Sequence, residues 1–257
     1  MKEISQDKVL ILIPVFNEGR TIRDLILEIS DLYPDMDVLV VDDGSGDDSA
    51  DAARAGGAIV ISHCFNLGDG AARQTGFLYA IRRGYDYIIH LDGDRQHSPW
   101  EVPLFLDRLR SGEADLVVGS RFRGEHPYHL TISKKIGMKL FSTICSLVLR
   151  QKITDPTSGF RGMNRRAMHI YTSGYYPQHF PDADVIISSH FRGLKIIEIP
   201  ITVRATQSTS LHRGWTVIYY IYKMLLSTFV SSLRFSRKKL NIHHDGHAEH
   251  EERQRKL

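Results

Sequence analysis

Apolar runs that alternate with helical periodicity constrain this chain more than any other feature of it. Val9-Leu10-Ile11-Leu12-Ile13 is continuously apolar, as expected of a strand covered on both faces in a parallel sheet. Pro14-Val15-Phe16-Asn17-Glu18-Gly19 breaks the run, and Ile22, Leu25, Ile26, Ile29 and Leu32 then recur at helical spacing. Asp37-Val38-Leu39-Val40-Val41 reads as a second strand. A helix that starts at Asp47 or Ser49 closes at Gly56-Gly57, and Ala58 to Ser62 is a short third strand. Residues 68–83 read as a helix, Tyr87-Ile88-Ile89-His90-Leu91 as a strand, 99–109 as a helix and 115–119 as another strand. This alternation predicts an α/β fold: a mostly parallel, Rossmann-like sheet flanked by helices, with right-handed crossovers.

After Arg121 the rhythm changes. Residues 132–149 form a long candidate helix carrying Lys134, Lys135 and Lys139 near its start, and 154–160 is a loop by composition. Short helices are expected over 164–171 and 184–191, and a strand over 195–203, whose Pro200 suits a sheet edge. Residues 214–235 are apolar and aromatic, and 236–257 are charged and His-rich, the composition of a disordered tail. The 257 residues fit one α/β domain with an elaborated second half. A net charge of +3 is too small to argue for a nucleic-acid partner. Cys64 and Cys145 lack metal or redox spacing and read as buried free thiols in a reducing compartment. Met1 to Lys8 is polar, without the apolar core of a signal peptide.

The chemistry gathers where the strands end. Asp92-Gly93-Asp94 follows the fourth strand at once. If the chain stays extended, both acids face the carboxyl edge of the sheet, where open α/β sheets place ligands. Like charges held close need a cation beside them, and hard oxygen ligands suit Mg2+ or Mn2+. Gln96 adds a neutral oxygen on the same side, so Asp92, Asp94 and Gln96 are the candidate metal ligands, gripping a diphosphate. A solvated Asp-Gly turn is the plain alternative. Two further strands also end in polar signatures, Pro14 to Glu18 and Asp42 to Ser45, and successive parallel strands bring such ends to one rim.

Pro14-Val15-Phe16-Asn17-Glu18, Val41-Asp42-Asp43-Gly44-Ser45, Leu91-Asp92-Gly93-Asp94-Arg95-Gln96-His97, Val118-Gly119-Ser120-Arg121 and Asp155-Pro156-Thr157-Ser158-Gly159-Phe160-Arg161 together resemble glycosyltransferase family 2, inverting enzymes with a GT-A fold. The resemblance runs over about residues 9–214, and is nearest to the dolichol-phosphate mannosyltransferase-like branch with its bacterial polyprenyl-phosphate counterparts. It implies that Pro14, Phe16 and Glu18 line a nucleotide pocket, with Phe16 on the base where many relatives carry Tyr. It implies that Asp43 accepts a hydrogen bond from the base, with Asp42 a structural neighbour. Asp92 and Gly93 would lie near the ribose and metal, and Asp94 with Gln96 would coordinate the metal. Arg121 would meet an anionic acceptor or the sugar-phosphate, and Arg204 would open a mobile basic loop over the diphosphate.

Other positions stay open between roles. Asp155 either forms an Asx-turn or assists at the acceptor site. Asp182-Ala183-Asp184 precedes a helix, so capping by either acid competes with an acceptor-side role for Asp184. If the acceptor is a hydroxyl, a base is needed, and Asp184 or Asp155 is the candidate. Gly68-Asp69-Gly70-Ala71-Ala72-Arg73 begins like a dinucleotide fingerprint, but the third glycine is missing and it follows the third strand. It reads as a tight packing turn. His243, His244, His247 and His250 sit in low-complexity sequence and carry no assigned site.

The expected organisation is a catalytic domain over 1–212, with a nucleotide half at about 8–121 and an acceptor half at about 122–212. An amphipathic helix at 213–236 would lie on a membrane or pack on a small membrane-protein partner, and a charged tail occupies 237–257. A central Lys223 disfavours a membrane span. The expected activity is inverting, metal-dependent transfer of a sugar from a UDP- or GDP-sugar to a polyprenyl phosphate, peripheral at the cytoplasmic face of the membrane. Two alternatives are transfer to a lipid-linked glycan hydroxyl and a non-catalytic nucleotide-sugar-binding module. A sugar-1-phosphate nucleotidyltransferase shares the architecture, but Asn17-Glu18 stands where its glycine-rich start with a basic residue belongs.

Overall fold

The computed structural model of the protein describes residues 7–123, 132–173, 176–177 and 181–204. The amphipathic helix expected at 213–236, the tail and its histidines, and the basic loop beyond Arg204 lie outside the described residues.

Strands β1 (Val9–Val15), β2 (Asp37–Asp42), β3 (Ile59–Ser62) and β4 (Tyr87–His90) pair in parallel, joined through helices α1 (Ile22–Leu32), α2 (Ser49–Ala55) and α3 (Asp69–Arg83). Helix α4 (Val102–Arg110) leads to β5 (Leu116–Ser120), and α5 (Ile132–Leu149) follows. Next come β6 (Arg161–Asn164), α6 (Arg165–Thr172), α7 (Ala183–Phe191) and β7 (Ile196–Pro200). The sheet has seven strands in the order β3-β2-β1-β4-β6-β5-β7. Among the described strands, only β6 runs antiparallel to its neighbours, β4 and β5. The mixed, mostly parallel sheet meets the α/β expectation, and β7 with its terminal Pro200 is an edge strand, as its proline required.

β6 is the element the periodicity missed. Its four residues, Arg-Gly-Met-Asn, carry no alternation, yet they occupy the middle of the sheet. Gly162 makes the fit possible, because a Cβ there would stand 2.9 Å from Ile89 Cδ1 and 3.1 Å from Phe105 Cβ. The helix expected from 164 begins one residue later. Asn164 caps it, its Oδ1 accepting the Ala167 N–H at 3.1 Å.

Ile22, Leu25, Ile26 and Ile29 of α1 are buried against Ile11, Ile13 and Val40, so the predicted helical stripe is the one that faces the sheet. Burial of each such side chain is worth roughly 1.5–3 kcal/mol. Helix α3 lies close over β1 because Gly76 has no Cβ; one would overlap the Leu12 methyls. Cys145 is buried, and burial pushes its thiol up to about 12. Cys64 is exposed, which corrects the expectation of two buried thiols.

Candidate active site

The sheet opens between β1 and β4. Their ladder stops at Leu12↔His90, whereas β1 and β2 stay paired to Val15↔Asp42. The Leu12 carbonyl accepts the Leu91 N–H. Pro14, two residues on, faces the same side, where that ladder has ended, so its missing N–H leaves no ladder bond unmade. Chain order reverses across β1, since β2 lies on one side and β4 on the other. This is the topological switch point at which open α/β sheets bind ligands. Pro14, Phe16 and Glu18 come to it from β1, Asp43 from β2, and Asp92 to Gln96 from β4.

The loops after β1 and β2 lock together. The Asn17 N–H donates to Ser45 Oγ at 2.9 Å, and the Gly46 N–H returns a bond to Asn17 Oδ1 at 2.9 Å. The Glu18 N–H donates to Ser49 Oγ at 2.8 Å. Gly44 has φ +72°, and a Cβ there would stand 2.6 Å from the Phe65 backbone carbon. Phe16 leaves this braced turn 47% exposed, an aromatic face open on the rim. Asp42 accepts the Ser45 N–H at 3.1 Å, the structural role expected of it. Asp43 is buried and already held. His63 Nδ1 (2.7 Å) and the Leu67 N–H (3.0 Å) meet its Oδ1, and the Gly68 N–H (2.8 Å) meets its Oδ2. A base would use only the remaining lone pairs of that carboxylate.

The chain does not stay extended through the acid pair. β4 ends at His90, residues 93–95 turn, and Arg95 takes φ +61°. Arg95 reaches back to α1, its Nη1 3.2 Å from Asp24. The two acids therefore meet different neighbours. Asp92 Oδ1 accepts from Arg73 Nη2 at 3.2 Å, and Asp92 Oδ2 stands 3.4 Å from His97 Nε2. Burial works against its charge, but His97 and the Arg73 guanidinium outweigh burial and hold the carboxyl well below the usual range. For Asp94 the balance falls the other way. Burial, and after it the Asp92 charge, push its pKa up. Gln96 gives Asp94 two bonds, from its backbone N–H to Oδ1 (3.0 Å) and from its amide Nε2 to Oδ2 (2.7 Å). The side chain expected to offer an oxygen to a metal thus presents a donor to Asp94. Glu18 is raised too, by burial and by Asp94, Asp47 and Asp92. Thr21 Oγ1 lies 3.2 Å from Glu18 Oε2 and 3.1 Å from the Gly93 carbonyl, tying the β1 loop to the acid loop.

Arg121 and Asp155, given separate expectations from the sequence, are partners. Arg121 Nε and Nη2 donate to the two Asp155 oxygens at 2.6 and 2.8 Å, and the Arg121 N–H adds a third bond at 3.1 Å. Asp155 is fully buried. Its own N–H donates to Glu198 Oε1 at 2.7 Å, and Glu198 also accepts from Thr154, so this second buried acid shapes the loop. Arg204 forms a fork on Glu28 at 2.8 and 2.5 Å, and its N–H donates to the Gln96 carbonyl. A diphosphate would have to draw this guanidinium from Glu28. Asp184 is buried, with Oδ1 accepting the Val185 N–H at 2.9 Å in the first turn of α7.

Arg73, His97, Gly159, Arg161 and Glu198 complete the surroundings, and no sequence signal gives any of them a role. Arg161 is 1% exposed and donates to the carbonyls of Pro156, Ser158 and Pro181, closing the 155–159 loop. Gly159 lies against Asp92, and a Cβ there would overlap the carboxylate. Gly159→Ala is therefore expected to displace Asp92. Donor turnover should fall by about tenfold or more with most of the thermal stability kept; unchanged turnover in a steady-state assay would remove Gly159 from the site.

Comparison with known proteins places the chain in a family. The model of the family described as Glycosyl transferase family 2 matches residues 10–171. An undecaprenyl-phosphate mannosyltransferase of Micrococcus luteus is 31% identical over 207 residues, covering 76% of this chain and 83% of that protein. A polyprenol monophosphomannose synthase of Mycolicibacterium smegmatis is 29% identical, covering 76% of this chain and 77% of its own. Among solved structures, glucosyl-3-phosphoglycerate synthase from Mycobacterium tuberculosis in complex with Mn2+ and UDP-glucose shares the fold, with TM-score 0.67 at 22% identity over 88% of this chain and 78% of that one. With a family model across more than half its length and a relative this similar over three quarters of it, the chain belongs to glycosyltransferase family 2.

Proposed function

We propose that this chain transfers a sugar, with inversion, from a UDP- or GDP-sugar to a polyprenyl phosphate presented at a membrane surface. The carrying observation is the difference in partners between the two acids at the switch point: Asp92 is paired with Arg73 at 3.2 Å and His97 at 3.4 Å, whereas Asp94 accepts from the neutral Gln96 at 3.0 and 2.7 Å. A site of that kind gains from a divalent cation. Among the described residues no group of three or more His, Cys, Asp or Glu side chains is arranged to enclose a metal. Mg2+ is commonly held by one or two protein carboxylates with substrate phosphates completing the shell. Asp94 is the residue to hold it, with Glu18 beside it; when bound, the ion neutralises charge growing on the departing diphosphate.

The remaining roles fall to this chain's own groups. Phe16 offers the base a face, and Asp43 a fixed carboxylate. Asp92, clamped by Arg73 and His97, offers the ribose hydroxyls a rigid acceptor. Arg121, aligned by Asp155, puts positive charge on the rim after β5, where an acceptor phosphate would approach. Such a phosphate is ionised at neutral pH and needs no strong base. Asp155 and Asp184, the two candidate bases for a hydroxyl acceptor, are engaged with Arg121 and with the first turn of α7. That favours a phosphate acceptor over a glycan hydroxyl. The relatives named above act, by their names, on undecaprenyl phosphate and polyprenol. Among the described residues no helix is long and apolar enough to cross a membrane, and peripheral attachment at the cytoplasmic face belongs to this proposal.

The test is labelled UDP- and GDP-sugars offered with a short polyprenyl phosphate or with a lipid-linked saccharide. Product is expected with the polyprenyl phosphate and is expected to vanish in excess chelator. Transfer undiminished by chelator, or transfer to the saccharide alone, would overturn the reading.

A further inference from the structure

Gly68-Asp69-Gly70-Ala71-Ala72-Arg73, which the sequence presents as a packing turn, does more than pack. Helix α3 begins at Asp69 and carries Arg73 one turn later on the same face. The Arg73 side chain is only 8% exposed. Its Nε donates to Asp69 Oδ1 at 2.9 Å and its Nη2 to Asp92 Oδ1 at 3.2 Å. A guanidinium is a rigid plane, so a bond at one position sets the direction of the others. Asp69 thereby aims Arg73, and Arg73 fixes one oxygen of Asp92. Gly70 and Ala72, both buried, keep the start of α3 slim beside it. His97 and Gly159 confine the other Asp92 oxygen.

We propose that Arg73, held by Asp69, is a positioning residue that sets the Asp92 carboxylate for the nucleotide-sugar. This rests on the reading of the switch-point cleft as the donor site. Arg73 touches neither sugar nor diphosphate in this assignment; it acts through Asp92. Two close acids need a cation beside them. For Asp92 the protein supplies one itself, from α3, and Asp94 is left as the acid that calls for an external ion.

The test compares Asp69→Asn, Arg73→Lys and Arg73→Gln with the unaltered full chain and with Asp94→Ala. Three readings are taken: Mn2+ binding in the presence of UDP or GDP by calorimetry, kcat and donor KM separately, and Tm. Asp69 is partly exposed, so Asp69→Asn should fold normally while loosening Arg73, and kcat should fall several-fold. Arg73→Lys keeps the charge but loses the planar fork. It should retain Tm, yet lose about tenfold or more in kcat or in nucleotide-supported Mn2+ affinity, the scale seen when partners of ligand side chains are altered. Arg73→Gln should lose at least as much if it folds, and the other two variants decide if it does not. Unaltered kcat and Mn2+ binding in both Asp69→Asn and Arg73→Lys would overturn the assignment. If Asp94→Ala also leaves binding unchanged, the donor-site reading fails; if only Asp94→Ala abolishes it, Arg73 alone has been misassigned.

Discussion

Asp94→Ala is expected to lower kcat/KM by at least about 10²–10³-fold, equivalent to roughly 3–4 kcal/mol of transition-state stabilisation. Burial and two neighbours, Asp92 and Gln96, set that expectation. Burial and the Asp92 charge oppose ionisation of Asp94, while the Gln96 N–H pulls the other way without overcoming them. A divalent ion would reverse this balance, so the side chain matters most where the ion and the leaving diphosphate meet. Asp94→Asn should lose nearly as much, because the amide keeps the shape and one oxygen but not the charge.

The pH dependence follows with a definite sign. Asp94 has a raised pKa in the fold, so it takes up a proton at higher pH than an unfolded carboxyl does. Lowering the pH should therefore weaken metal activation before ordinary carboxylates titrate. Stability runs the other way for this group: its ionised form strains the fold above the folded pKa, and protonation relieves that strain as pH falls. Manganese titrations of activity at several pH values, beside thermal melts without metal, measure both. An Asp94→Ala enzyme with ordinary turnover would mean that the charge on the departing diphosphate is met elsewhere.

Asp155→Ala should be the most destabilising of the substitutions considered, by about 3–5 kcal/mol, as expected when one partner of a buried ion pair is removed. Asp155 is fully buried and accepts three bonds from Arg121. Its loss strands a guanidinium that is only 16% exposed. It also removes the carboxylate from a loop whose N–H groups are already drawn to Glu198. For a chain of this size the melting temperature should drop by roughly 10 °C. Activity should be lost as well, because Arg121 would no longer be aimed. The double substitution Arg121→Met with Asp155→Leu should recover much of the stability and none of the activity, since two apolar side chains leave no buried charge unpaired. Differential scanning fluorimetry with donor turnover separates the two effects. An Asp155→Ala protein that melts normally would show that the pair contributes little to the fold.

Particular residues show how far the sequence could be read. The α1 stripe of Ile22, Leu25, Ile26 and Ile29 faces the core as its spacing required, and β1 to β4 stand where the apolar runs placed them. β6 escaped because four residues with a glycine and a buried arginine carry no period, and their strand character comes from pairing with β4 and β5. Pro14 looked like the end of a strand, yet it sits inside β1, since the sheet has already opened beside it. Asp92, Asp94 and Gln96 were placed on one side by an extended-chain argument that the turn at Arg95 does not allow.

What the amino-acid order determined by itself was the succession of buried strands, the amphipathic helices between them and the polar residues at the strand ends. Those follow from periodic burial, which neighbours in the chain decide. What only the tertiary structure decided was the partner of each charge: Arg73 for Asp92, Arg121 for Asp155, Glu28 for Arg204. These pairs join residues 19, 34 and 176 positions apart. Charge compensation in a buried cleft depends on distance in space, and composition and spacing do not carry that information.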